Sequence, residues 1–451
     1  MHFLTGSDEH GSKIVKAALD AGKSPKEFVD EKVEKYERLC KVLELSNSRF
    51  IRTTDKDHEK TVQEVFARLH SNGDIYKGTY EGLYCVGCEA YLTEKELVEG
   101  KCPIHNAKPQ LLKEENYFFR LSKYKKQIVE LLEKQKLYEP EGRAKEILNR
   151  LKEQELKDLS VSRPKANVDW GIELPFDKSH TVYVWFDALL NYVTGAKQKR
   201  KNYWPADLHV IGKEIAWFHA VIWPAMLFSA KLALPKKIYG HGWLTFEGQK
   251  MSKSLGNVID PFYMCEKYST DSFRYYMMRE IPFGGDGDFS EKNLAARHNN
   301  ELANELGNLL NRSLSLLEKS FQGKVPDSKT SRGLQKKLGL KKINDCMERL
   351  ALHDALSEIF SFVNSCNKYV NDRQPWKQSG KELEETLYSV ADSLRIISIL
   401  LSPFIPQTSE RINAQLGVNA GKLKECKFGL LKAGTQTAKG EILFKKIEGK
   451  E

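Results

Sequence analysis

The stretch DLHVIGKEIAWFHAVIWPAML, residues 207–227, decides the fold class. Its first part, DLHVIGK, predicts a strand, and EIAWFHAVIW directly after it predicts a helix. Strands that alternate with helices imply a parallel sheet, so the predicted class is α/β. The same alternation opens the chain. Strands are predicted at FLTGSDEHG (3–11) and SRFIRTT (48–54), and helices at SPKEFVDEKVEKYERLCKVLEL (24–45), with Ser24 as N-cap, and DHEKTVQEVFARLHSNG (57–73).

Further along the chain the texture changes twice. Turns, cysteines and Lys/Glu-rich helices run from Tyr76 to about Asp177, which we interpret as an insertion. The α/β pattern returns with HTVYVWFDALL (180–190) and a strand at KKIYGHGWLTF (236–246), and nearly all is helical from about Phe289 to Gln415. A final strand is predicted at GEILFKKI (440–447). The predicted division is a sheet domain in two parts (1–75 and 178–262), an insertion (76–177), a connecting segment (263–290), a helical domain (291–430) and a tail (431–451).

Bulk composition bounds the class of protein. The chain has 451 residues, 41% hydrophobic and 10% aromatic, which indicates a folded protein of about three domains. Its net charge of +10 fits a polyanionic partner such as nucleic acid, but scattered surface lysines fit it equally well. Charge alone does not decide between them.

The cysteines and the N-terminus indicate the compartment. Eight cysteines are too few for a disulfide scaffold. The start, MHFLTGSDEHGSK, has no apolar core of a secretory signal, and no uncharged apolar run reaches the ~18 residues that span a bilayer. We therefore expect a cytoplasmic protein without a membrane partner, an organellar matrix being the alternative.

A metal site is predicted from C-x2-C-x13-C-x2-H, formed by Cys85, Cys88, Cys102 and His105. Each pair can present two ligands from one tight turn, and two such turns complete a tetrahedral zinc shell. Four protein ligands leave no place for a reactive water, so the predicted role is structural. The alternative is four unrelated buried residues, which this spacing disfavours.

The string KMSKS, residues 250–254, carries the most specific chemistry. It follows a glycine-bearing turn after a predicted strand, so it is expected in a loop. The ammonium groups of Lys250 and Lys253 can neutralise the charge that builds on a triphosphate as pyrophosphate leaves. Alone, such a string is more often a solvated loop, but its continuation LGNVIDP makes it specific.

KMSKSLGNVIDP (250–261) resembles the second signature of class I aminoacyl-tRNA synthetases. Together with FLTGSDEHG, YVWFDALLNY (183–192), IGKEIAWFHAVIWPAML (211–227) and the Cys/His knuckle, the chain resembles the methionyl-tRNA synthetase family over essentially its whole length, in the single-zinc bacterial or organellar type. The resemblance implies a Rossmann-type parallel sheet with a zinc-bearing insertion, followed by an all-α anticodon-binding bundle. It implies a methionine–tRNA ligase that uses ATP with Mg²⁺ and carries a structural Zn²⁺. The expected partners are L-methionine, ATP and tRNA(Met), and we expect a monomer.

The resemblance also implies an amino-acid pocket whose residues suit a thioether. Asp8 would hold the ammonium group, and aromatic and aliphatic walls favour a polarizable methionine side chain. Ile215, His219 and Trp223 recur at i, i+4 and i+8 and would share one helix face. Without the flanking strings, ordinary core packing would be the commoner meaning of such residues. The predicted walls are Trp185, Ala188, Leu189, Tyr192, Ile215, His219 and Trp223.

For ATP, the resemblance places Gly212 and Glu214 near the ribose and adenine, and His241 and Gly242 near the base. The family usually has Asp at the acidic position, so Glu214 adds a methylene to that contact. The string Lys250, Met251, Ser252, Lys253 and Ser254 would bind the phosphates.

Anticodon reading is implied in the helical region. In ELANELGNLLNRSLSLL (301–317), an apolar stripe is expected to face the bundle core. Asn308 and Arg312 fall on the opposite face, and Trp376, in the turn QPWK, is expected to be exposed enough to stack on an unpaired base. The resemblance assigns these three residues to the CAU anticodon. By themselves they would be a solvated helix face and a loop anchor.

Two other readings stay open. Synthetases for leucine, isoleucine or valine normally carry a large editing insertion, for which this chain has no room, and one for cysteine would need an open zinc. A tRNA-binding paralogue or fragment without catalysis is the alternative from another class. The family has a HIGH-type helix some tens of residues before FLTGSDEHG, and no H-x-G-H occurs in the 451 residues. We therefore expect a chain truncated before that segment, lacking the first strand, and forming little or no methionyl-adenylate.

Overall fold

The computed structural model describes residues 1–87, 90–92, 97–134, 137–198, 201–251 and 258–447, without the side chains of eight of them. The chain divides into two compact units. The first comprises residues 1–41 and 45–241, and the second residues 42–44 and 242–451. Each unit has its own hydrophobic core.

The first unit mixes helices and short strands. Its α-helices are α1 (Ser12–Asp20), α2 (Pro25–Val42), α3 (Lys56–Ser71), α4 (Lys125–Lys134), α5 (Glu141–Glu153), α6 (Val184–Ala188), α7 (Asn191–Ala196) and α8 (Trp223–Ala230). Its strands are β1 (Leu4–Ser7), β2 (Arg49–Arg52), β3 (Ile75–Cys85), β4 (Ala90–Leu92), β5 (Gln110–Phe119), β6 (Tyr138–Glu139), β7 (Leu159–Ser160), β8 (Ser162–Pro164), β9 (His180–Val182), β10 (Lys197–Gln198), β11 (Lys201–Asn202), β12 (His209–Gly212) and β13 (Ile238–His241).

The predicted parallel pairing is confirmed. β1 runs parallel to β2, and β13 lies between β12 and β6 with both neighbours parallel to it. The connecting helix α3 buries Val62, Val65, Phe66 and Leu69 at the i, i+3, i+4, i+7 spacing of one helix face. Each such burial contributes about 1.5–3 kcal/mol, so the apolar pattern of the sequence fixes how this helix packs.

The predicted insertion is an antiparallel sheet in its first part. β3 pairs with β5 over ten residues, with β4 and β7 on the outer edges. The predicted range 76–177 also contains β6, which belongs to the parallel sheet. Leu137, just before β6, and Tyr138 in β6 are buried. In the sequence, the charged helices on either side make this short apolar stretch hard to recognise. The insertion is therefore not one continuous excursion from the parallel sheet.

HTVYVWFDALL forms β9 and then α6. One element prediction in this unit was wrong in detail. EIAWFHAVIW is not a uniform α-helix, because a 3₁₀ turn at Lys213–Ile215 and a π-turn at Phe218–Ile222 precede α8. A π-turn closes i to i+5 and occurs mostly at functional sites. The prediction that residues at i, i+4 and i+8 of this segment share one face of a regular helix was therefore wrong.

The second unit is mainly helical, as predicted. Its α-helices are α9 (Pro261–Tyr268), α10 (Thr270–Glu280), α11 (Glu291–Arg297), α12 (Asn308–Phe321), α13 (Arg332–Gln335), α14 (Leu340–Glu348), α15 (Leu352–Arg373), α16 (Gly380–Leu401) and α17 (Pro406–Leu416), with a π-helix at His298–Gly307 and 3₁₀ turns at Pro375–Lys377 and Leu423–Glu425. Its strands are β14 (Leu244–Phe246), β15 (Gln249–Lys250) and β16 (Gly287–Phe289).

The helix α16 forms the centre of this unit. Every residue from Thr386 to Leu401 is buried, as expected for a helix surrounded on all sides. The buried carboxylate of Asp392 is balanced by Arg395, 2.8 Å away, and Arg395 also donates to the carbonyls of Glu425 and Lys427. Buried charges therefore anchor the chain that follows α17.

The final strand predicted at GEILFKKI was wrong. The described part of this segment contains no strand. Arg411 donates to the carbonyl oxygens of Ile442 and Leu443 at 2.9 and 2.8 Å, and Leu443 and Phe444 are buried in the helical core. Contacts with helices thus replace the strand partner that the alternating sequence suggested. Among the described residues, no helix has the length and apolar character needed to cross a membrane.

Candidate functional site

The loop after β1 is held in place from both sides. Glu9 is buried and accepts two hydrogen bonds from Arg52 of β2, at 2.7 and 2.8 Å, while its backbone N–H donates to Thr53. Trp170 donates from its indole N–H to the Glu9 carbonyl at 2.6 Å. Asp8, the preceding residue, is thereby fixed at the carboxyl end of a parallel strand, where open α/β sheets bind ligands.

The same loop contributes His10 to a buried histidine–aspartate–histidine cluster. Asp187 in α6 contacts His10 Nδ1 at 2.6 Å and His58 Nε2 at 2.7 Å, and all three are buried. Burial by itself would raise the pKa of Asp187, but the hydrogen bonds from both histidines hold this pKa below its ordinary value. The pKa of His10 is raised by Asp187 although burial opposes it. The cluster thus joins the loop after β1 to α3 and α6 through charge.

Asp8 carries a perturbed carboxyl group. The residue is exposed to solvent, yet the protein atoms around it and the nearby charge of Asp187 raise its pKa to about 6. His58 and His10 act in the opposite direction. A carboxyl group with a perturbed pKa is a candidate for a ligand site, and a cation is the ligand that would restore its charged form.

The predicted thioether wall is built around Tyr192 and His219. The Tyr192 hydroxyl lies 2.8 Å from His219 Nε2, and His219 Nδ1 lies 3.1 Å from the carbonyl oxygen of Ile215. That carbonyl can only accept, so Nδ1 carries the proton and Nε2 accepts from tyrosine. Burial lowers the pKa of His219 to about 4, and burial together with the charge of Asp8 raises that of Tyr192. A neutral imidazole and phenol thus face the same region as Asp8.

The other predicted wall residues lie behind or beside this pair. Trp185 stacks on Phe218 with ring centroids 3.9 Å apart. Leu189 and Trp223 are buried in the core cluster against which Tyr192 and Ile215 pack, and Ala188 is buried as well. Trp223 is fully buried, 6.0 Å from the Tyr192 ring. It therefore supports the wall from within.

The residues predicted for ATP fall on both units. In the first, Gly212 and His241 are Cα partners at the carboxyl ends of β12 and β13, and Glu214 is exposed just beyond β12. In the second, Gly242 approaches another backbone so closely that a Cβ would lie 2.0 Å from the Gly285 carbonyl oxygen. A larger residue at position 242 would therefore clash with this carbonyl, which explains the glycine.

The predicted glycine-bearing turn precedes the KMSKS string, and in the structure it closes a hairpin, which was not predicted. Glu247 and Gly248 join β14 to β15 with φ of 49° and 75°, the turn geometry that two-residue hairpins favour. Lys250 ends β15, and Met251 is half-buried. Ser252, Lys253 and Ser254 lie outside the described residues, so their predicted role stays a prediction.

Three of the four predicted metal ligands come together. Cys85 Sγ and Cys102 Sγ lie 3.9 and 3.8 Å from His105 Nδ1, and all three ligand atoms are within 4.8 Å of one another. Zinc bonds of about 2.0–2.3 Å place tetrahedral ligand atoms at such separations. The Gly87 Cα lies so near that a Cβ there would be 2.5 Å from the His105 ring. Cys88 lies outside the described residues.

The three residues predicted for the anticodon lie on one surface of the second unit. The stripe Leu302, Leu306, Leu309, Leu310 and Leu317 is buried, as predicted. Asn308 is exposed, and the Arg312 guanidinium carbon lies 5.9 Å from the centroid of the Trp376 ring. Trp376 is 52% exposed, so one face of an indole is open for stacking beside a cation.

Sequence reasoning missed the buried charged cluster. His10, His58 and Asp187 received no role, although His58 and Asp187 lie in helices whose apolar residues are buried. A charge in such a position needs a partner, and His58 shares the buried face of α3 with Val62. Polar residues at apolar positions were therefore the available signal, but pairing across 129 and 177 residues could not be read from it.

Comparison with known proteins gives consistent matches. A family model described as tRNA synthetases class I (M) matches residues 1–110 and 94–314, and an anticodon-binding domain of tRNA ligase matches residues 338–437. The methionine–tRNA ligase of Caldanaerobacter subterraneus is 46% identical over 99% of this chain and 73% of its own length, and that of Thermotoga maritima is 44% identical over 100% and 74%. The solved Mycobacterium tuberculosis methionyl-tRNA synthetase in complex with methionyl-adenylate superposes with a TM-score of 0.93, at 37% identity over 98% of this chain and 91% of that one.

These alignments do not bear out the predicted truncation before the HIGH-type segment. The chain covers 73% of the first relative's length and 91% of the solved structure. The doubt about adenylate formation that rested on that prediction is withdrawn, and the noncatalytic alternative is not favoured.

Proposed function

The chain belongs to the methionine-specific class I tRNA synthetases, and from that membership we propose how its residues carry out the reaction. The activity is that of a methionine–tRNA ligase. It activates methionine with ATP to methionyl-adenylate and transfers the methionyl group to tRNA, for which we assign tRNA(Met) as the substrate.

The arrangement of Asp8 with Tyr192 and His219 carries the assignment of the methionine site. A substrate ammonium group beside Asp8 restores the carboxylate that its surroundings disfavour. The neutral His219–Tyr192 pair offers polarizable rings without a net charge, which suits an uncharged thioether. Trp185, Ala188, Leu189, Ile215 and Trp223 then line or back the same pocket.

Activation follows as an in-line displacement at phosphorus. A methionine carboxylate oxygen attacks the α-phosphorus of ATP, the α–β phosphoanhydride bond breaks, and pyrophosphate leaves with the bonding electrons. Lys250 and Lys253 neutralise the charge on the departing phosphates, together with Mg²⁺. Gly212, Glu214, His241 and Gly242 hold the nucleoside, and Met251, Ser252 and Ser254 complete the phosphate-binding string.

Transfer uses the same bound methionyl group. A hydroxyl of the terminal ribose of tRNA attacks the methionyl carbonyl carbon, the mixed anhydride bond breaks, and AMP leaves. In the second unit Asn308, Arg312 and Trp376 contact the CAU anticodon. The exposed indole beside a guanidinium is the combination that single-stranded RNA recognition uses.

A structural zinc completes the knuckle. Cys85, Cys88, Cys102 and His105 would hold Zn²⁺, and the separations of the three described ligand atoms fit one ion. Bound zinc would tie the turn after β3 to the turn at residues 102–105. Its coordination shell is closed by protein, so it takes no part in the reaction.

We place the enzyme in a reducing compartment, the cytoplasm or an organellar matrix, working as a monomer. The seven cysteines among the described residues are all free thiols, which fits such a compartment. Gel filtration with light scattering at micromolar concentration should give a single species near 51.7 kDa, and a stable dimer would contradict the proposal.

The test of the methionine site is methionine-dependent ATP–pyrophosphate exchange. Asp8→Asn should raise the methionine KM and lower the exchange rate because the ammonium group loses its counter-charge. Asp20→Asn, which removes an exposed carboxylate at the end of α1, is the matched control and should behave as the parent enzyme. Leucine in place of methionine probes the pocket. Exchange with leucine as efficient as with methionine would contradict the assigned walls.

A further inference from the structure

Three buried polar atoms without a hydrogen-bond partner cluster where α15 meets α16. They are the Tyr369 hydroxyl, Arg373 Nε and the Gln378 amide oxygen. A buried polar group left unpaired costs about 1–3 kcal/mol, and such groups are few in folded proteins. Three of them within ten residues therefore require an explanation.

The three side chains form one connected group. The Arg373 guanidinium carbon lies 5.9 Å from the centroid of the Tyr369 ring. Glu382, in the first turn of α16, has an oxygen 3.5 Å from an Arg373 nitrogen and 3.0 Å from the Gln378 amide nitrogen. Gln378 is thus held by its nitrogen, which leaves its oxygen as the free end of the amide.

This group adjoins the surface assigned to the anticodon. Trp376 lies in the 3₁₀ turn Pro375–Lys377, directly between Arg373 and Gln378 in the chain. Arg312 contacts both the Trp376 ring and Asn371 of α15, the latter at 2.9 Å. A base stacked on Trp376 would therefore have its neighbour in the strand beside the unpaired atoms.

A nucleobase edge supplies what these atoms lack. An amide oxygen accepts from an exocyclic amino group, and an amide nitrogen can donate to the adjacent ring nitrogen, which is how glutamine recognises adenine. Arg373 Nε can donate, and a tyrosine hydroxyl can do either. In CAU, adenine and cytosine both offer an amino donor beside a ring acceptor, and adenine, as the middle base, is the neighbour of either end base stacked on Trp376.

We infer that Gln378, supported by Arg373 and Tyr369, reads the adenine of the anticodon through its exocyclic amino group. The inference rests on the proposed anticodon surface and adds to it a site for the base next to the one on Trp376. On tRNA binding the Gln378 side chain would turn so that its amide oxygen, buried in this structure, contacts the base directly. Arg373 and Tyr369 would act by orienting the glutamine and by filling their own unpaired positions on tRNA binding.

The test compares two tRNA transcripts that differ in one amino group. One carries adenine in the middle of the anticodon, and the other carries purine, which lacks the 6-amino group. With the parent enzyme, kcat/KM for aminoacylation should fall by roughly tenfold on this change, the size of one lost base contact. With Gln378→Leu, the adenine transcript should already be charged at the lower rate, and the change to purine should have no further effect.

Control variants separate recognition of the adenine from effects of the substitution on the structure of the protein. Gln378→Glu keeps an acceptor oxygen and should keep the preference for adenine, and Gln407→Leu makes the same replacement at an exposed glutamine of α17 and should match the parent. A Gln378→Leu enzyme that still prefers adenine tenfold would overturn the inference. If instead Trp376→Ala left charging of tRNA unchanged, the anticodon surface itself would be misplaced. ATP–pyrophosphate exchange should be normal in all these variants.

Discussion

The charge of Asp8 depends on its surroundings. Desolvation and the carboxylate of Asp187 raise its pKa from 3.8 to about 6. For a binding site this is useful, because a bound ammonium group lowers the same pKa and restores the charge. The cost falls on the free protein, in which the ionised Asp8 at neutral pH is less stable than a carboxylate in water.

Methionine affinity should therefore depend on pH through Asp8. Above about pH 7 the carboxylate is ionised and binding should be independent of pH. Below pH 6 the carboxyl is protonated and affinity should fall by up to about tenfold per pH unit. Calorimetric titration with methionine from pH 5 to 8 measures this, and affinity unchanged down to pH 5 would contradict the role of Asp8.

The variant Asp8→Asn should bind methionine more weakly, but its folded state should be more stable at neutral pH. The folded-state pKa is raised, so the carboxyl stabilises the fold fully only below pH 3.8, and this contribution is lost as pH rises through about 6. Asparagine removes the unfavourable charge, so Tm should exceed that of the parent at pH 7.5. The difference should shrink at pH 4, as thermal melts in matched buffers would measure. An equal or lower Tm at pH 7.5 would contradict the electrostatic account.

The hydroxyl of Tyr192 donates to His219 Nε2, and the Ile215 carbonyl fixes the tautomer of this histidine. Tyr192→Phe leaves His219 Nε2 without its donor in a buried site, which should cost about 1–3 kcal/mol of unfolding free energy. Chemical denaturation measures the loss. Tyr203→Phe, which changes an exposed tyrosine, is the control. A loss no larger than in the control would mean that the hydrogen bond contributes little.

At the level of elements, the periodic spacing of apolar residues predicted the regular helices and strands. It predicted α3 and the strands β1, β2 and β12, and the buried face of α3 follows from its spacing. It could not predict the π-turn at Phe218–Ile222, because one extra residue in a helical turn leaves no mark in composition. The last segment failed for another reason, since alternating apolar residues do not say whether a strand or a helix will cover them. The cluster around Asp187 depends on contacts between distant elements.

The zinc knuckle gives a prediction that concerns one element. Metal analysis of the purified chain should find about one zinc per molecule. Cys85→Ala should lose the metal and unfold the antiparallel sheet locally, because metal binding in such a site is folding free energy. Cys40→Ala, in α2, should keep it. Proteolysis at residues 76–119 with and without chelator reports the local change, and a chain that contains no zinc would contradict the site.

The turn between α15 and α16 gives a second prediction that concerns one element. Trp376→Ala should weaken tRNA binding by roughly 1–3 kcal/mol, the contribution of one stacked base. Methionine-dependent pyrophosphate exchange should stay normal, because that reaction does not involve tRNA. Trp243→Ala, another exposed tryptophan, is the control for loss of surface indole. A Trp376→Ala enzyme that still distinguished CAU from a changed anticodon would contradict the assignment.

Across the whole molecule, the proposed methionine and anticodon sites fall in different units. The residues proposed for methionine lie in the unit that ends at residue 241, and those proposed for the anticodon lie in the unit that follows. The net charge of +10 acts on only one of these substrates, since tRNA is a polyanion and methionine is a zwitterion. The two affinities should therefore respond differently to ionic strength.

The resulting prediction is a selective effect of salt. Each phosphate that a lysine or arginine neutralises contributes about −0.7 to −0.9 to the slope of log affinity against log salt, so tRNA affinity should fall steeply between 50 and 200 mM KCl. Methionine affinity should barely change over that range. Lys377→Ala removes an exposed charge beside Trp376 and should reduce the tRNA slope by about one if that lysine contacts a phosphate. Lys134→Ala, paired with Glu130 in the first unit, should leave it unchanged. If tRNA affinity were as insensitive to salt as methionine affinity, the positive charge would have no part in recognition, and base contacts alone would have to account for binding.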